Sequence, residues 1–292
     1  MAILSIQSHV SYGYVGNRVA THALQNLGFE VWCVNTVNFS NHTGYGTWQG
    51  EIFAPDAVQH VVDGIKKVAD LSRCQAVLSG YVGDPKVGQV ILKAVEDFAA
   101  QAPDLIYLCD PVMGDVGRGF FVKEGILHFF KNLGLQKATI MTPNHFEMDA
   151  LCDRPLKTIE DAKAACREFH QAGVHIIAIT SFDFIGLSSS RLSVFLSTPQ
   201  GAWVGETDRV LFDVPPNGTG DLFSALYLGN FLQKRDPVSA LEKTLQSVYK
   251  IVALTGYLNQ RELAIVQLLS TMESAMINTT PSLHANVSIA QV

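Results

Sequence analysis

Gly218-Thr219-Gly220-Asp221 runs directly into Leu222-Phe223-Ser224-Ala225-Leu226-Tyr227-Leu228, a stretch with helical spacing and no breaker. Two glycines let the backbone turn tightly and come close to a ligand. A helix opening behind them aims free N–H groups and the positive end of its dipole at the turn. Such a turn binds anions. A carboxylate placed there is repelled by the ligand unless it faces the group that attacks the anion, so Asp221 reads as a base beside a phosphate. The competing reading makes the four residues an ordinary turn with Asp221 as helix cap.

Other carboxylates extend this chemistry. Asp110 follows an apolar run, where burial is costly unless the charge is paired or faces a cation. Glu147 lies three residues beyond Asn144, so both can face one side as a helix begins. Asp110 and Glu147 together suit Mg²⁺ held partly through water beside phosphate oxygens. Alternatively, Asp110 turns the chain before Pro111 and Glu147 completes a cap. Asp115-Val116-Gly117-Arg118, between Gly114 and Gly119, reads either as a glycine-hinged lid that excludes water from a bound nucleotide or as a plain surface loop. Asn38 to Gly46 is polar, glycine-containing and interrupted by aromatics, a composition that can line a pocket. Among nine histidines only His9 and His42 fall in such loops, and H-E-x-x-H, G-x-x-x-x-G-K-[ST] and a G-x-G-x-x-G after the first apolar run are all missing.

These residues need elements to hold them. Ile3–Ile6, Val31–Val34, Ala76–Leu78, Leu105–Cys109, Ala138–Met141 and Val174–Ile179 read as strands. Helical faces alternate with them from Asn17, Val58, Val87 and Ile159. This alternation predicts βαβ units, hence an α/β fold with a mostly parallel sheet covered by helices on both faces. Ser8, Asp110, Asn144, Glu147 and Thr180 then fall at strand carboxyl ends, where open α/β sheets bind ligands. Leu192–Leu196, Trp203-Val204 and Val210–Phe212 alternate like an antiparallel edge. Helical patterns over 238–258 and 262–276 follow. One domain is expected over 1–277, with a loosely ordered tail over 278–292.

The 292 residues are 48% hydrophobic and 16% charged, which suits a buried core. With 21 Lys plus Arg against 27 Asp plus Glu, the net charge of −6 and the lack of a basic tract disfavour nucleic acid and anionic membranes as partners. Five scattered cysteines suggest neither a disulfide framework nor a zinc site and fit a reducing cytoplasm. No apolar run reaches the length of a membrane span.

The assembled motifs resemble the ribokinase-like (PfkB) superfamily of small-molecule kinases and, within it, the pyridoxal kinases. Ser5-Ile6-Gln7-Ser8-His9-Val10, Gly13-Tyr14-Val15-Gly16-Asn17-Arg18 and Val37 to Tyr45 carry the likeness, with Asp110 to Asp115, Thr142 to Glu147, Thr180-Ser181 and Gly218 to Asp221. The resemblance implies transfer of the ATP γ-phosphate to the 5′-hydroxymethyl group of pyridoxal and related vitamers. It implies substrate contacts at Ser8, Thr43 and Asp221, and a pocket lined by Val15, Phe39, His42 and Tyr81. Asp110, Asp115, Thr142, Asn144, Glu147, Thr180, Ser181 and Thr219 would serve the nucleotide and its cations, with Mg²⁺, an activating K⁺ and a homodimer also implied. Gly218 and Gly220 shape the catalytic turn around Asp221. The sequence departs from the family pattern at Asn217, often apolar, and at Phe120-Phe121, where some relatives carry Tyr. A hydroxymethylpyrimidine kinase and a non-catalytic vitamer-binding protein are the rival readings.

Overall fold

The computed structural model describes residues 1–267 and 285–292. Ala2–Val10 (β1), Asn17–Asn26 (α1) and Glu30–Phe39 (β2) form the first unit, and Gly50–Ile52 (β3) folds back on β2. Pro55–Val68 (α2), Cys74–Ser79 (β4), Pro85–Ala99 (α3) and Ile106–Cys109 (β5) continue the alternation. After a short hairpin, Gly114–Asp115 (β6) with Gly119–Phe120 (β7), come Ile126–Phe129 (α4), Ile140–Met141 (β8), His145–Cys152 (α5), Ile159–Gln171 (α6) and Ile176–Ile179 (β9). Arg191–Thr198 (β10) and Gly201–Asp208 (β11) precede Thr219–Lys234 (α7) and Pro237–Tyr257 (α8), and Ser288–Gln291 (β12) closes the order.

The main sheet runs β12-β11-β10-β9-β8-β5-β4-β1-β2-β3. From β9 to β2 every pair is parallel, while β10, β11 and β12 make an antiparallel edge and β3 makes another. The strands are apolar on both faces because both are covered. Successive side chains of β4 alternate, Ala76 and Leu78 packing toward α1, α7 and α8, and Val77 toward α2, α3 and α6. Strand order reverses at β1, flanked by β2 and β4, which opens a crevice beyond its carboxyl end. Helix α7 is buried from Leu222 through Leu232, so its N-terminus is fixed in place.

Two expectations change. Val210–Phe212 is not a strand; it follows β11 as irregular chain, and the third antiparallel place goes to β12 instead. The alternating pattern there reflects side chains facing a cavity rather than a sheet core. β12 corrects the loosely ordered tail for its last residues: Trp203 pairs with Gln291 and Glu206 with Ser288. The helix expected over 262–276 lies outside the described residues beyond 267, as does the tail before 285. β3 has no counterpart in the sequence reading, since three exposed residues carry no apolar signal.

Candidate active site

Gly218 adopts φ 89° and opens α7 without any side-chain cap, so the first N–H groups of a buried helix are left for a ligand. Asp221 does not cap the helix. Its Oδ2 accepts the Gly16 N–H at 2.9 Å, across from the start of α1. Removal from water pushes this carboxyl up to about 6, against the Gly16 N–H, which favours the charged form.

Asp110, at the end of β5, is 4% exposed, and Glu147, in the first turn of α5, is 3% exposed. Ser224 Oγ donates to Asp110 Oδ2 at 2.9 Å and lies 2.8 Å from Thr142 Oγ1, joining α7 to the ends of β5 and β8. Glu147 Oε1 accepts the Met113 N–H at 2.8 Å, and its Oε2 accepts the Asn144 N–H at 2.9 Å. Asn144 Oδ1 in turn accepts the Glu147 N–H, completing a capping box. Burial pushes Glu147 up to about 7 despite these donors. Burial first, then the charges of Glu147 and Asp221, hold Asp110 well above the usual carboxylate range.

The donor set fits a hard cation with limits. Asp110 and Glu147 are oxygen-only ligands whose negative charge the protein leaves unpaired by Lys or Arg, but both Glu147 oxygens are already engaged by backbone. No group of three or more His, Cys, Asp or Glu side chains gathers to hold a metal among the described residues. A divalent ion here would therefore depend on water and phosphate oxygens.

A cavity of 670 Å³ joins these groups; it is lined by Asp110, Asp115, Thr142, Asn144, Glu147, Thr180 and Ser181 and by Gly218 to Asp221. Asn144 and Thr180 bridge in parallel register, extending the pairing of β8 with β9 to the cavity floor, and Ser181 turns away with φ 49°. An apolar slot continues from the polar end, between Val210, Leu211 and Phe212 on one side and Leu245, Val248 and Val252 of α8 on the other. The strand-like pattern over 210–212 is this wall.

β6 and β7 make a hairpin over the cavity, pairing Gly114 with Phe120 and Asp115 with Gly119. At its tip Arg118 points both Nη atoms at Asn217 Oδ1, each 3.5 Å away. Asn217 thus receives a cation where an apolar residue was expected. Phe120 packs edge-on against Phe146, with ring centroids 5.0 Å apart, which seats the hairpin on α5 without a hydroxyl.

Ser8, Val15, Phe39, Thr43 and Tyr81 do not line the large cavity. Val15 and Phe39 instead form a small apolar cluster with Val10, Val37 and Tyr81. Thr43 is exposed in the single turn Thr43–Tyr45, and His42 caps that turn by accepting the Gly44 N–H through Nδ1 at 3.1 Å. Burial, then Arg118 and Arg261, push His42 down to about 4, so its ring is neutral at pH 7. Gly16 links the two regions. With φ 55° it lies so close to Ser8 that a Cβ there would sit 2.1 Å from the Ser8 carbonyl oxygen, while its N–H holds Asp221. Sequence reasoning missed Gly16 and Ser224 as site residues. Ser224 carried a signal, as a polar residue one turn beyond Asp221 in the otherwise apolar run over 222–228; the role of Gly16 depends on a contact 205 residues away.

A phosphomethylpyrimidine kinase family model matches residues 24–264. The pyridoxal kinase PdxY of Deinococcus radiodurans is 41% identical over 268 residues, 90% of each chain. That of Rubrobacter xylanophilus is 42% identical over 273 residues, covering 93% of this chain and 92% of its own. A Leishmania donovani pyridoxal kinase in complex with ADP and pyridoxine superposes with a TM-score of 0.85 at 29% identity over 99% of both chains. Matched over nearly its whole length in sequence and in fold, the chain belongs to the phosphomethylpyrimidine kinase family and, within it, to the pyridoxal kinases.

Proposed function

We propose that the protein transfers the γ-phosphoryl group of ATP to the 5′-hydroxymethyl group of pyridoxal, yielding pyridoxal 5′-phosphate, and accepts pyridoxine and pyridoxamine as well. The observation that carries this reading is the position of Asp221. It stands in the first turn of an uncapped buried helix and is fixed by Gly16, which abuts the Ser8 region. Phosphoryl transfer passes through a loose transition state that needs positioning and charge neutralisation more than covalent chemistry. The N–H groups of Thr219 and Gly220 would hold the transferring phosphate, the slot between 210–212 and α8 the base, and Asp221 the proton of the attacking hydroxyl. Ser8 and Thr43 would orient the pyridine ring, with Val15, Phe39, His42 and Tyr81 around it. Asp110 and Glu147 would hold Mg²⁺, whose chemistry is to neutralise phosphate charge. Asp115, Thr142, Asn144, Thr180, Ser181 and Thr219 complete the nucleotide side, where K⁺ also belongs.

A single kinase domain, a homodimer and a cytoplasmic location are part of the same proposal. All five cysteines are free, which supports a reducing compartment, and no described helix is long and apolar enough to cross a membrane. The deciding assay compares ATP turnover, read as ADP released, with pyridoxal and with hydroxymethylpyrimidine each supplied at equal concentration, pyridoxal 5′-phosphate being followed by its absorbance in the first. Clear preference for the pyrimidine would overturn the assignment, and tight phosphate-ester binding without ATP-dependent product would leave a binding protein.

Two further results are expected. Thr43→Val should raise KM for pyridoxal far more than for ATP, corresponding to about 1–3 kcal/mol for a ring group left unpaired. Equal effects on both substrates would remove Thr43 from the vitamin pocket. The β6–β7 hairpin, glycine-hinged at 114, 117 and 119, should be nicked by protease without nucleotide and protected by ATP with Mg²⁺. Cleavage that ATP fails to suppress would make it a plain surface loop.

A further inference from the structure

Glu262 follows α8 and reaches back to two loops far from it in sequence. Its Oε2 accepts the Tyr14 N–H at 3.0 Å, and its Oε1 accepts the Tyr45 hydroxyl at 2.5 Å. Tyr14 belongs to the loop whose Gly16 N–H fixes Asp221, and the Tyr14 carbonyl presses so closely on Gly218 that a Cβ there would sit 1.9 Å away. Tyr45 ends the turn that carries Thr43 and follows His42. Arg261, the residue before, grips the same turn: its Nη2 donates to the Gly44 carbonyl at 3.2 Å, and its guanidinium lies 3.6 Å from the Tyr45 ring centroid. Gly13, with φ 93°, leaves room for the carboxylate, since a Cβ at that position would meet Glu262 Oε2 at 2.3 Å.

Resting on the kinase reading above, we propose that Glu262 is a positioning residue for the acceptor. It ties the loop that orients Asp221 and abuts the anion turn to the loop that bears Thr43, so base and ring-binding turn keep one spacing. Each oxygen of the Glu262 carboxylate is engaged by a different loop, one by the Tyr14 N–H and the other by the Tyr45 hydroxyl, so one side chain fixes both. Arg261 holds the Tyr45 side of the tie in register through the ring face. None of these contacts reaches the slot between 210–212 and α8, so nucleotide binding should be indifferent to them.

The experiment is steady-state kinetics of Glu262→Ala, Glu262→Gln and Tyr45→Phe, with nucleotide Kd and thermal unfolding measured alongside. Glu262→Ala should raise acceptor KM about 10–100-fold and lower kcat, because small misplacements of reacting groups are costly, while nucleotide Kd stays within about twofold. Glu262→Gln can still accept from Tyr45 but turns an amide toward the Tyr14 N–H, so a smaller rise is expected. In the double variant with Tyr45→Phe, the effects should fall short of additive. If Glu262→Ala does not fold, the Gln and Phe variants carry the test alone. Equal rises in acceptor and nucleotide KM, or a lowered unfolding temperature with acceptor KM unchanged, would make Glu262 a structural tie and overturn the proposal. The acceptor used is the one the wild-type enzyme turns over fastest. A preference for hydroxymethylpyrimidine would thus defeat the substrate assignment while the acceptor-to-nucleotide split still judged Glu262. If no acceptor is phosphorylated at all, calorimetric Kd for pyridoxal takes the place of KM with the same criteria.

Discussion

Asp221→Asn should keep its nucleotide and lose its turnover, with kcat falling about 10²–10³-fold. General-base removal costs about 10²–10⁴ in rate, and a loose transition state needs little deprotonation before P–O cleavage is advanced, which favours the lower part of that range. The amide retains the shape and can still accept the Gly16 N–H, so the fold around α7 should persist. ATP affinity should be unchanged or slightly tighter, because a negative charge beside the triphosphate is gone. Normal kcat would refute Asp221 as base, and a lost fold or lost ATP binding would give it a structural role. With a folded-state value near 6, kcat/KM of the wild type should decline tenfold per pH unit below about 6. The stability sign is opposite to that of a paired carboxylate. Between about pH 4 and 6 the folded chain retains a proton that the unfolded chain releases, so this group costs stability as pH rises. Asp221→Asn should therefore be more stable than wild type above pH 6, by roughly 1–3 kcal/mol. Unfolding midpoints at pH 4 and pH 7.5 check this: a gain confined to the higher pH is expected, and an equal change at both would mean the carboxylate is not destabilised by burial.

Gly218→Ala should be nearly inactive although only one methyl is added. The position has φ 89°, and the Cβ would lie 1.9 Å from the Tyr14 carbonyl oxygen, which is backbone and cannot swing aside. The left-handed conformation alone costs about 1–2 kcal/mol for an L side chain. Relief requires either the turn or the Tyr14–Gly16 loop to move, and that loop carries the N–H that fixes Asp221. A displacement near 1 Å is worth about 10² in rate, so kcat/KM should fall at least that far. Gly220→Ala is the control. A Cβ at Gly220 meets nothing within 4 Å, so the variant should fold as well as wild type, and any loss of turnover reports ligand approach alone. Equal stability and activity for both variants would mean that the turn tolerates side chains and that its glycines have no catalytic reason.

Alternating apolar runs made the central strands legible, because a parallel sheet buried on both faces leaves long uninterrupted hydrophobic segments such as Ala76–Leu78. They misled at Val210–Phe212, where the apolar residues face a cavity wall, and they were silent for β3 and β12, whose side chains are mostly exposed. In the site, the anion turn and the Asn144–Glu147 cap are local patterns and could be read from spacing. Gly16, Ser224 and Glu262 act through partners 82 or more residues away, and no local period records such a contact.

The pairing of β12 with β11 bears on how the molecule behaves in crowded solution. Without Ser288–Gln291, the eight-residue β11 would be the open border of a nine-strand sheet, a row of unpaired amides and carbonyls able to recruit a strand from another molecule. Ser288 to Gln291 is short and mostly exposed, and Arg191 anchors it by donating to the Asn286 carbonyl at 3.0 Å. A bulky fusion placed directly after Val292 would pull at this seal. Aggregation on concentration would then appear before any loss of turnover, because Val292 pairs with Ala202 at the start of β11, whereas Thr207 and Asp208 at its far end line the cavity.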